Sequence, residues 1–215
     1  MDAGLDMRDF SSAFVEDLDA LLRWRRDVRR FRTDPVPPEL LSECLAQLRH
    51  APSVGLSAPW RIVSVEGEAA RAAALANFEA ANAEALAGYS GAQAALYAGL
   101  KLSGMREAPV QLAVFCDEAT VKGSGLGAGT MPQMRAYSVV GAIMYLWLAA
   151  RARGLGLGWV SILDPDRLSR DLEVPADWAL VGYLCMGWPE DETDTPELAA
   201  AGWESEAELP EVIIR

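Results

Sequence analysis

The stretch from Met134 to Arg153 narrows the choice of fold more than any other part of the chain. It reads as one long helix, and Val139, Ile143, Leu146, Trp147 and Ala150 leave it apolar nearly all round. Such a helix must be central, either inside a domain or across a subunit interface. Its most apolar run, Val139 to Ala150, is too short to span a bilayer. Gly154 stops it, as glycine commonly does just past a helix.

The remaining elements fit around that helix. Helices are predicted from Ala13 to Arg26, from Pro37-Pro38 onward, from Arg71 to Gly88, and from Asp164-Pro165 to Leu172. In the second of these, Leu41, Cys44, Leu45 and Leu48 recur at the spacing of one apolar stripe. Strands are predicted at Trp60–Val65, Val110–Cys116, Leu157–Leu163 and Leu180–Met186. The second strand is apolar almost without interruption, which predicts burial on both faces. Helices and strands mix without regular βαβ alternation, so the expected fold class is α+β around a mostly antiparallel sheet.

The chain divides into a flexible N-terminus (1–12), one domain (13–189) and an acidic C-terminal arm (190–215). Only Trp203 and the terminal Val212-Ile213-Ile214 can anchor that arm, and a position on a partner subunit suits it. Residues 89–104 form a weaker helix interrupted by Gly91 and Gly99, read as a mobile lid. Lys122–Thr130, with four glycines, lacks the spacing of a dinucleotide loop and reads as a flexible surface loop.

A net charge of −12 argues against nucleic acid and against an anionic membrane surface as partners. The N-terminal residues carry no apolar signal segment, so a cytoplasmic location is expected. Cys44, Cys116 and Cys185 are widely spaced in apolar stretches, which suits reduced core cysteines. With His50 as the sole histidine, neither a zinc cluster nor a Ser-His-Asp triad is supported, and no metal is expected.

Within this acidic chain Arg23, Arg25, Arg26, Arg29, Arg30 and Arg32 crowd together. Taken alone, such a cluster is more often a solvated helix end than a site. Yet Arg25-Arg26-Asp27-Val28-Arg29 offers bidentate donors for a phosphate and a carboxylate that can bind sugar hydroxyls or accept a proton. In the breaker-rich loop at Ser53-Val54-Gly55, glycine would let backbone N–H groups approach a planar ligand. The third candidate is Gly156-Leu157-Gly158-Trp159-Val160-Ser161, where Ser161 is the single polar side chain of an apolar strand. No one of the three is decisive.

Six blocks in fixed order add a resemblance: R-R-D-V-R-x-F, A-P-S-V-G…P-W-R, E-A-P…L-A-V-F-C-D, T-M-P-x-M…Y-S-V-V, L-W-L-A-A-R-A-x-G-L-G-x-G-W-V-S-I-L-D-P and Y-L-C-M-G-W-P. Together, from Arg23 to Pro189, they resemble the aerobic 5,6-dimethylbenzimidazole synthases, a branch of the nitroreductase superfamily. The resemblance implies a nitroreductase-like homodimer with FMN at the subunit interface. Arg25, Arg26 and Arg29 would then hold the flavin phosphate and ribityl chain, and Val28, Ser53, Gly55 and Leu56 would join them around the flavin. Asp27 and Ser161 fall on the positions used for chemistry, in which reduced FMN is a substrate that O2 fragments to 5,6-dimethylbenzimidazole. The chain departs from the family at Ser57-Ala58, where a glutamine commonly precedes the proline, and at Met144-Tyr145, where a glutamine-asparagine pair is usual. Two alternatives stay open: an FMN oxidoreductase acting on another small molecule, reduced by NAD(P)H or a partner reductase, and a non-catalytic FMN-binding protein.

Overall fold

A computed structural model describes residues 9–206 and 210–215. The helices are α1 (Ser12–Trp24), α2 (Pro38–Ala46), α3 (Glu68–Ala87), α4 (Gly91–Gly99), α5 (Met134–Arg151), α6 (Pro165–Asp171) and α7 (Glu197–Ala200). The strands are β1 (Trp60–Ser64), β2 (Val110–Asp117), β3 (Gly156–Val160) and β4 (Trp178–Gly187). They form one sheet in the order β1-β2-β4-β3, with every neighbouring pair antiparallel. The expected α+β class with an antiparallel sheet is what the chain adopts.

The unbroken apolar run of β2 has its physical reason in the pleat, which sends alternate residues to opposite faces. On one face Leu112, Val114 and Cys116 pack with Leu184, Met186 and the α5 residues Ile143, Leu146 and Ala150. On the other, Ala113 and Phe115 join Tyr183, Cys185, Phe31, Ala74, Phe78 and Leu168. Each large apolar side chain so buried contributes about 1.5–3 kcal/mol, so the sheet is the main source of stability. The three cysteines are free and buried.

Helix α5 covers one face of the sheet but is itself only half covered. Its residues Tyr137, Val140, Met144 and Tyr145 remain exposed. Helix α1 is capped by Ser11, whose Oγ accepts the Phe14 N–H at 3.2 Å, yet it buries none of its side chains. Phe14, Leu18 and Leu22 of α1 stay exposed.

Several expectations need correction. The helix α1 begins at Ser12, and residues 1–8 of the expected flexible N-terminus lie outside the described residues. Strand β3 ends at Val160, so Ser161 stands beyond the strand and exposed, and is not a side chain within it. The glycine-rich loop is not a free surface loop: a Cβ added at Gly123 would lie 2.5 Å from the Gly55 carbonyl oxygen, so the two loops are in backbone contact. Gly91 and Gly99 bound α4 and do not interrupt it. The hydroxyl of the buried Tyr97 donates to Asn82 Oδ1 at 2.8 Å, and Tyr89 and Tyr97 both pack on Trp203. The first half of the C-terminal arm therefore lies on its own chain, with Trp203 as its anchor there.

Candidate active site

Residues 25–29 leave α1 and run beside β3. The Val28 N–H donates to the Leu157 carbonyl at 3.0 Å, and Asp27 and Leu157 form a parallel bridge. This approach depends on two glycines. A Cβ at Gly158 would lie 2.1 Å from the Val28 carbonyl oxygen, and one at Gly156 2.8 Å from a Val28 methyl carbon. The G-L-G spacing ahead of Trp159 is thus what lets the arginine segment lie against the sheet. From the opposite side, Trp147 of α5 donates its indole N–H to the Arg26 carbonyl at 3.2 Å.

Asp27 is held at both carboxylate oxygens. Oδ1 accepts the Trp159 backbone N–H at 2.8 Å. Oδ2 accepts from Arg29 Nε at 2.9 Å and lies 2.8 Å from Arg29 Nη2. Arg29 also donates through Nη1 to the Lys101 carbonyl at 3.2 Å. The Asp27 side chain is 31% exposed and that of Arg29 13%, so the aspartate is the more open of the pair.

The other arginines differ in what they touch. Arg25 lies 4.9 Å from the centroid of the Trp147 ring and makes no ion pair among the described residues. Burial pulls its pKa below the ordinary value, Arg26 adds to the fall, and Asp27 opposes it. A guanidinium stays charged nonetheless, so Arg25 is a partly buried cation suited to an anion. Arg26 donates from Nε to the Asp194 carbonyl at 2.7 Å, with Nη2 on the same oxygen. Arg30 pairs with Glu197, and that hydrogen bond raises its pKa. Arg151 grips both carboxylate oxygens of Glu192, at 2.8 and 3.0 Å. A cavity of about 190 Å³ lies between the arginine segment and residues 191–200, with Arg26, Asp27, Arg29, Leu157 and Thr193 in its wall.

The Ser53–Leu56 loop sits elsewhere, at the N-terminal end of α5. Val54 N–H donates to Ser138 Oγ at 3.0 Å, and Ser53 Oγ accepts the Ala58 N–H at 3.0 Å. Gly55, Leu56 and Ala58 all have positive φ, at 56°, 54° and 44°. For Leu56 and Ala58 this left-handed conformation costs roughly 1–2 kcal/mol each. Leu56 is 79% exposed, while Ser57 is buried with its Oγ unpartnered among the described residues. Ser138 and Trp147 are nine helical residues apart, which puts the loop's anchor roughly 13 Å along α5 from the arginine segment.

Of the predicted site residues, the structure brings Arg25, Arg26, Asp27, Val28 and Arg29 together with β3. It leaves Ser53, Gly55 and Leu56 at the far end of α5. Ser161 lies just past the strand that carries Trp159, its carbonyl accepting the Leu163 N–H at 3.0 Å. The departures also find places: Met144 and Tyr145 lie on the exposed side of α5, and Ala58 in the strained loop. Sequence reasoning missed the Trp159 N–H, the Lys101 carbonyl and the Trp147 ring. Backbone donors carry no residue signature, but Trp159 directly after G-L-G was a legible clue. Among the described residues, no group of His, Cys, Asp or Glu is placed to hold a metal ion.

This donor set fits a ligand with a phosphate at one end and hydroxyls along its length. Arg25 supplies a cation with no ion pair among the described residues and Asp27 a fixed acceptor, while Gly55 is already packed against the backbone of Gly123 and Leu126.

Comparison with known proteins gives the family. Residues 22–188 match the nitroreductase family. A 5,6-dimethylbenzimidazole synthase of Rhodospirillum rubrum is 55% identical over 203 residues, covering 94% of this chain and 96% of that protein. One from Rhodobacter capsulatus is 48% identical over 196 residues, covering 91% of this chain and 95% of the relative. Among solved structures, oxidised iodotyrosine deiodinase bound to FMN and 3-iodo-L-tyrosine superposes with a TM-score of 0.70 at 25% identity. That likeness covers 92% of this chain and 97% of the other.

Proposed function

Because the chain belongs to the nitroreductase family, on the branch of the 5,6-dimethylbenzimidazole synthases, we propose that it uses O2 to fragment reduced FMN to 5,6-dimethylbenzimidazole, the lower ligand of vitamin B12. The observation that carries this reading is Asp27, a carboxylate fixed at both oxygens and still open on one side, next to the unpaired cation of Arg25. Bound in this site, reduced FMN would supply both the electrons for O2 and the atoms of the product.

The chain's own residues do the rest. Arg25 holds the phosphate through charge-assisted hydrogen bonds, while Arg26, whose Nε, Nη1 and Nη2 already donate to the Asp194 and Arg25 carbonyls, borders the site. Asp27 accepts a proton from the ribityl hydroxyls, which must lose one as the sugar chain is cut. Ser161, exposed just beyond β3, orients the ribityl chain or passes a proton. Residues 89–104, with α4 at their centre, close over the site and exclude water.

The active form is a homodimer. Tyr137, Val140, Met144 and Tyr145 give α5 an apolar face with no cover in one copy. A second copy laid on that face brings its Ser53–Leu56 loop towards the first copy's arginine segment and completes the flavin site. No helix of the described residues is long and apolar enough to cross a membrane, and three reduced cysteines suit the cytoplasm. Reduced FMN is then delivered by an NAD(P)H-dependent reductase. A second reading, an FMN oxidoreductase acting on another small molecule, draws on Ala58 and Met144-Tyr145, where the family's amide side chains are missing.

One chromatographic experiment tests both. Reduced FMN with oxygen is expected to yield 5,6-dimethylbenzimidazole with no other organic substrate. Asp27→Asn should lower the yield by about a hundredfold or more while FMN still binds, since the amide keeps the shape and loses the base. Intact FMN with sustained reduction of an added acceptor would replace the first reading by the second.

A further inference from the structure

Arg29 was expected to hold the flavin phosphate with Arg25 and Arg26, but its surroundings point to a different task. Its Nε donates to Asp27 Oδ2, its Nη2 lies 2.8 Å from the same oxygen and its Nη1 donates to the Lys101 carbonyl, so three of its five N–H groups face protein acceptors. At 13% exposure it is also the better covered partner of the pair. Arg25, by contrast, makes no ion pair among the described residues.

We propose that Arg29 is the positioning residue of Asp27, and that through it the segment after α4 sets the direction of the carboxylate. This rests on the assignment of Asp27 as the proton acceptor.

The argument is one of degrees of freedom. The terminal torsion of an aspartate is broad, so a carboxylate held at one oxygen can still turn. The Trp159 N–H fixes Oδ1 alone. Adding a planar guanidinium on Oδ2 leaves the group one orientation, and Arg29 presents two nitrogens to that oxygen.

The guanidinium is in turn held from behind. Lys101, two residues past the end of α4, accepts from it through its carbonyl and pairs its ammonium with Glu107 at 2.6 Å. The chain between them is seated on the arginine segment: a Cβ at Gly104 would lie 2.3 Å from the Phe31 ring and 3.3 Å from the Arg29 carbonyl oxygen. The segment that follows the proposed lid therefore bears directly on Arg29, and Arg29 on Asp27. A displacement of residues 100–107 would be felt at the proton acceptor without touching the phosphate.

The test separates positioning from phosphate binding. Arg29→Gln and Arg29→Lys are compared with wild type for the affinity of FMN and of riboflavin, and for kcat at saturating reduced FMN. A positioning role predicts that both affinities change by the same factor, while kcat falls about a hundredfold in Arg29→Gln. Arg29→Lys should recover part of that loss. In an Asp27→Asn background, Arg29→Gln should cost nothing further, because the group it orients is already gone.

A loss of FMN affinity about tenfold greater than that of riboflavin would overturn the proposal, since it marks a phosphate contact. An unchanged kcat would overturn it equally. If Arg29→Gln does not fold, Arg29→Lys is read by the same two criteria. Should wild type yield no dimethylbenzimidazole, the proposed function fails, yet the FMN-to-riboflavin comparison still decides the role of Arg29 because it needs only binding.

Discussion

Two loops carry the candidate site, and they are built in opposite ways. The arginine segment at 25–29 is fastened along its length: to β3 through Val28 and Asp27, to α5 through the Arg26 carbonyl, and to residue 101 through Arg29. Its backbone needs no unusual conformation. The loop at 53–58 holds two non-glycine residues at positive φ, an exposed leucine and a buried hydroxyl without a partner among the described residues. The difference teaches which of the two loops has its polar groups met within its own chain. The first is held by hydrogen bonds with β3, α5 and residue 101 of its own chain. The second keeps strained and unsatisfied groups, as sites do when a ligand or second subunit is to meet them.

The contrast breaks first at Gly158. If the arginine segment owes its order to the glycines of β3, Gly158→Ala forces a methyl against the Val28 carbonyl, which lies 2.1 Å from the added atom. Backbone cannot swing aside as a side chain does, so about 3 kcal/mol of stability should be lost. Flavin affinity should fall with it. Denaturant unfolding measures the first and flavin fluorescence the second. Unchanged stability would mean that the segment rests on β3 loosely, and the contrast would lose its firmer side.

Arg25 sharpens the same side. Arg25→Ala removes the cation over Trp147 and should weaken FMN binding by roughly tenfold to a hundredfold, about 1.5–3 kcal/mol. Riboflavin, which has no phosphate, should lose little. Titration of both ligands against the variant reads this directly, and equal losses would return the arginines to the surface.

What could be read from the sequence follows from which forces leave a pattern in it. The apolar run of β2 reports burial on both faces, and β2 is so buried; the all-round apolarity of α5 is matched on one side only, since Tyr137, Val140, Met144 and Tyr145 stay exposed. The arginine motif named its own residues. It could not say that Arg29 turns inward to Asp27 while Arg25 is left without a carboxylate, because that choice depends on backbone positions 159 and 101. Ser161 was misplaced for a related reason: β3 stops where its pairing with β4 stops, at Val160 opposite Tyr183, and apolarity continues past that point through Ile162 and Leu163. The acidic arm had only Trp203 as an apolar anchor in its first half, and that anchor found Tyr89 and Tyr97 of its own chain.

The smallest effect concerns the unfinished side, at Ser57. This residue is 3% exposed and its Oγ has no partner among the described residues. A buried hydroxyl left unsatisfied costs on the order of 1–3 kcal/mol, whereas alanine in its place leaves nothing to satisfy. Ser57→Ala should therefore stabilise the flavin-free protein, by about 1 kcal/mol once a small loss of packing is deducted. The sign is unusual, because most substitutions at buried positions destabilise. If the hydroxyl is kept for the flavin or its surroundings, the variant should gain less than wild type when FMN is added, since ligand stabilisation grows with affinity. Thermal unfolding with and without FMN reads both quantities in one pair of scans. A variant less stable than wild type without flavin would show that Ser57 already has a partner in one chain, and the loop would then be as complete as the arginine segment. A variant more stable by the same amount with and without FMN would leave the strain at Leu56 and Ala58 as the loop's only distinction.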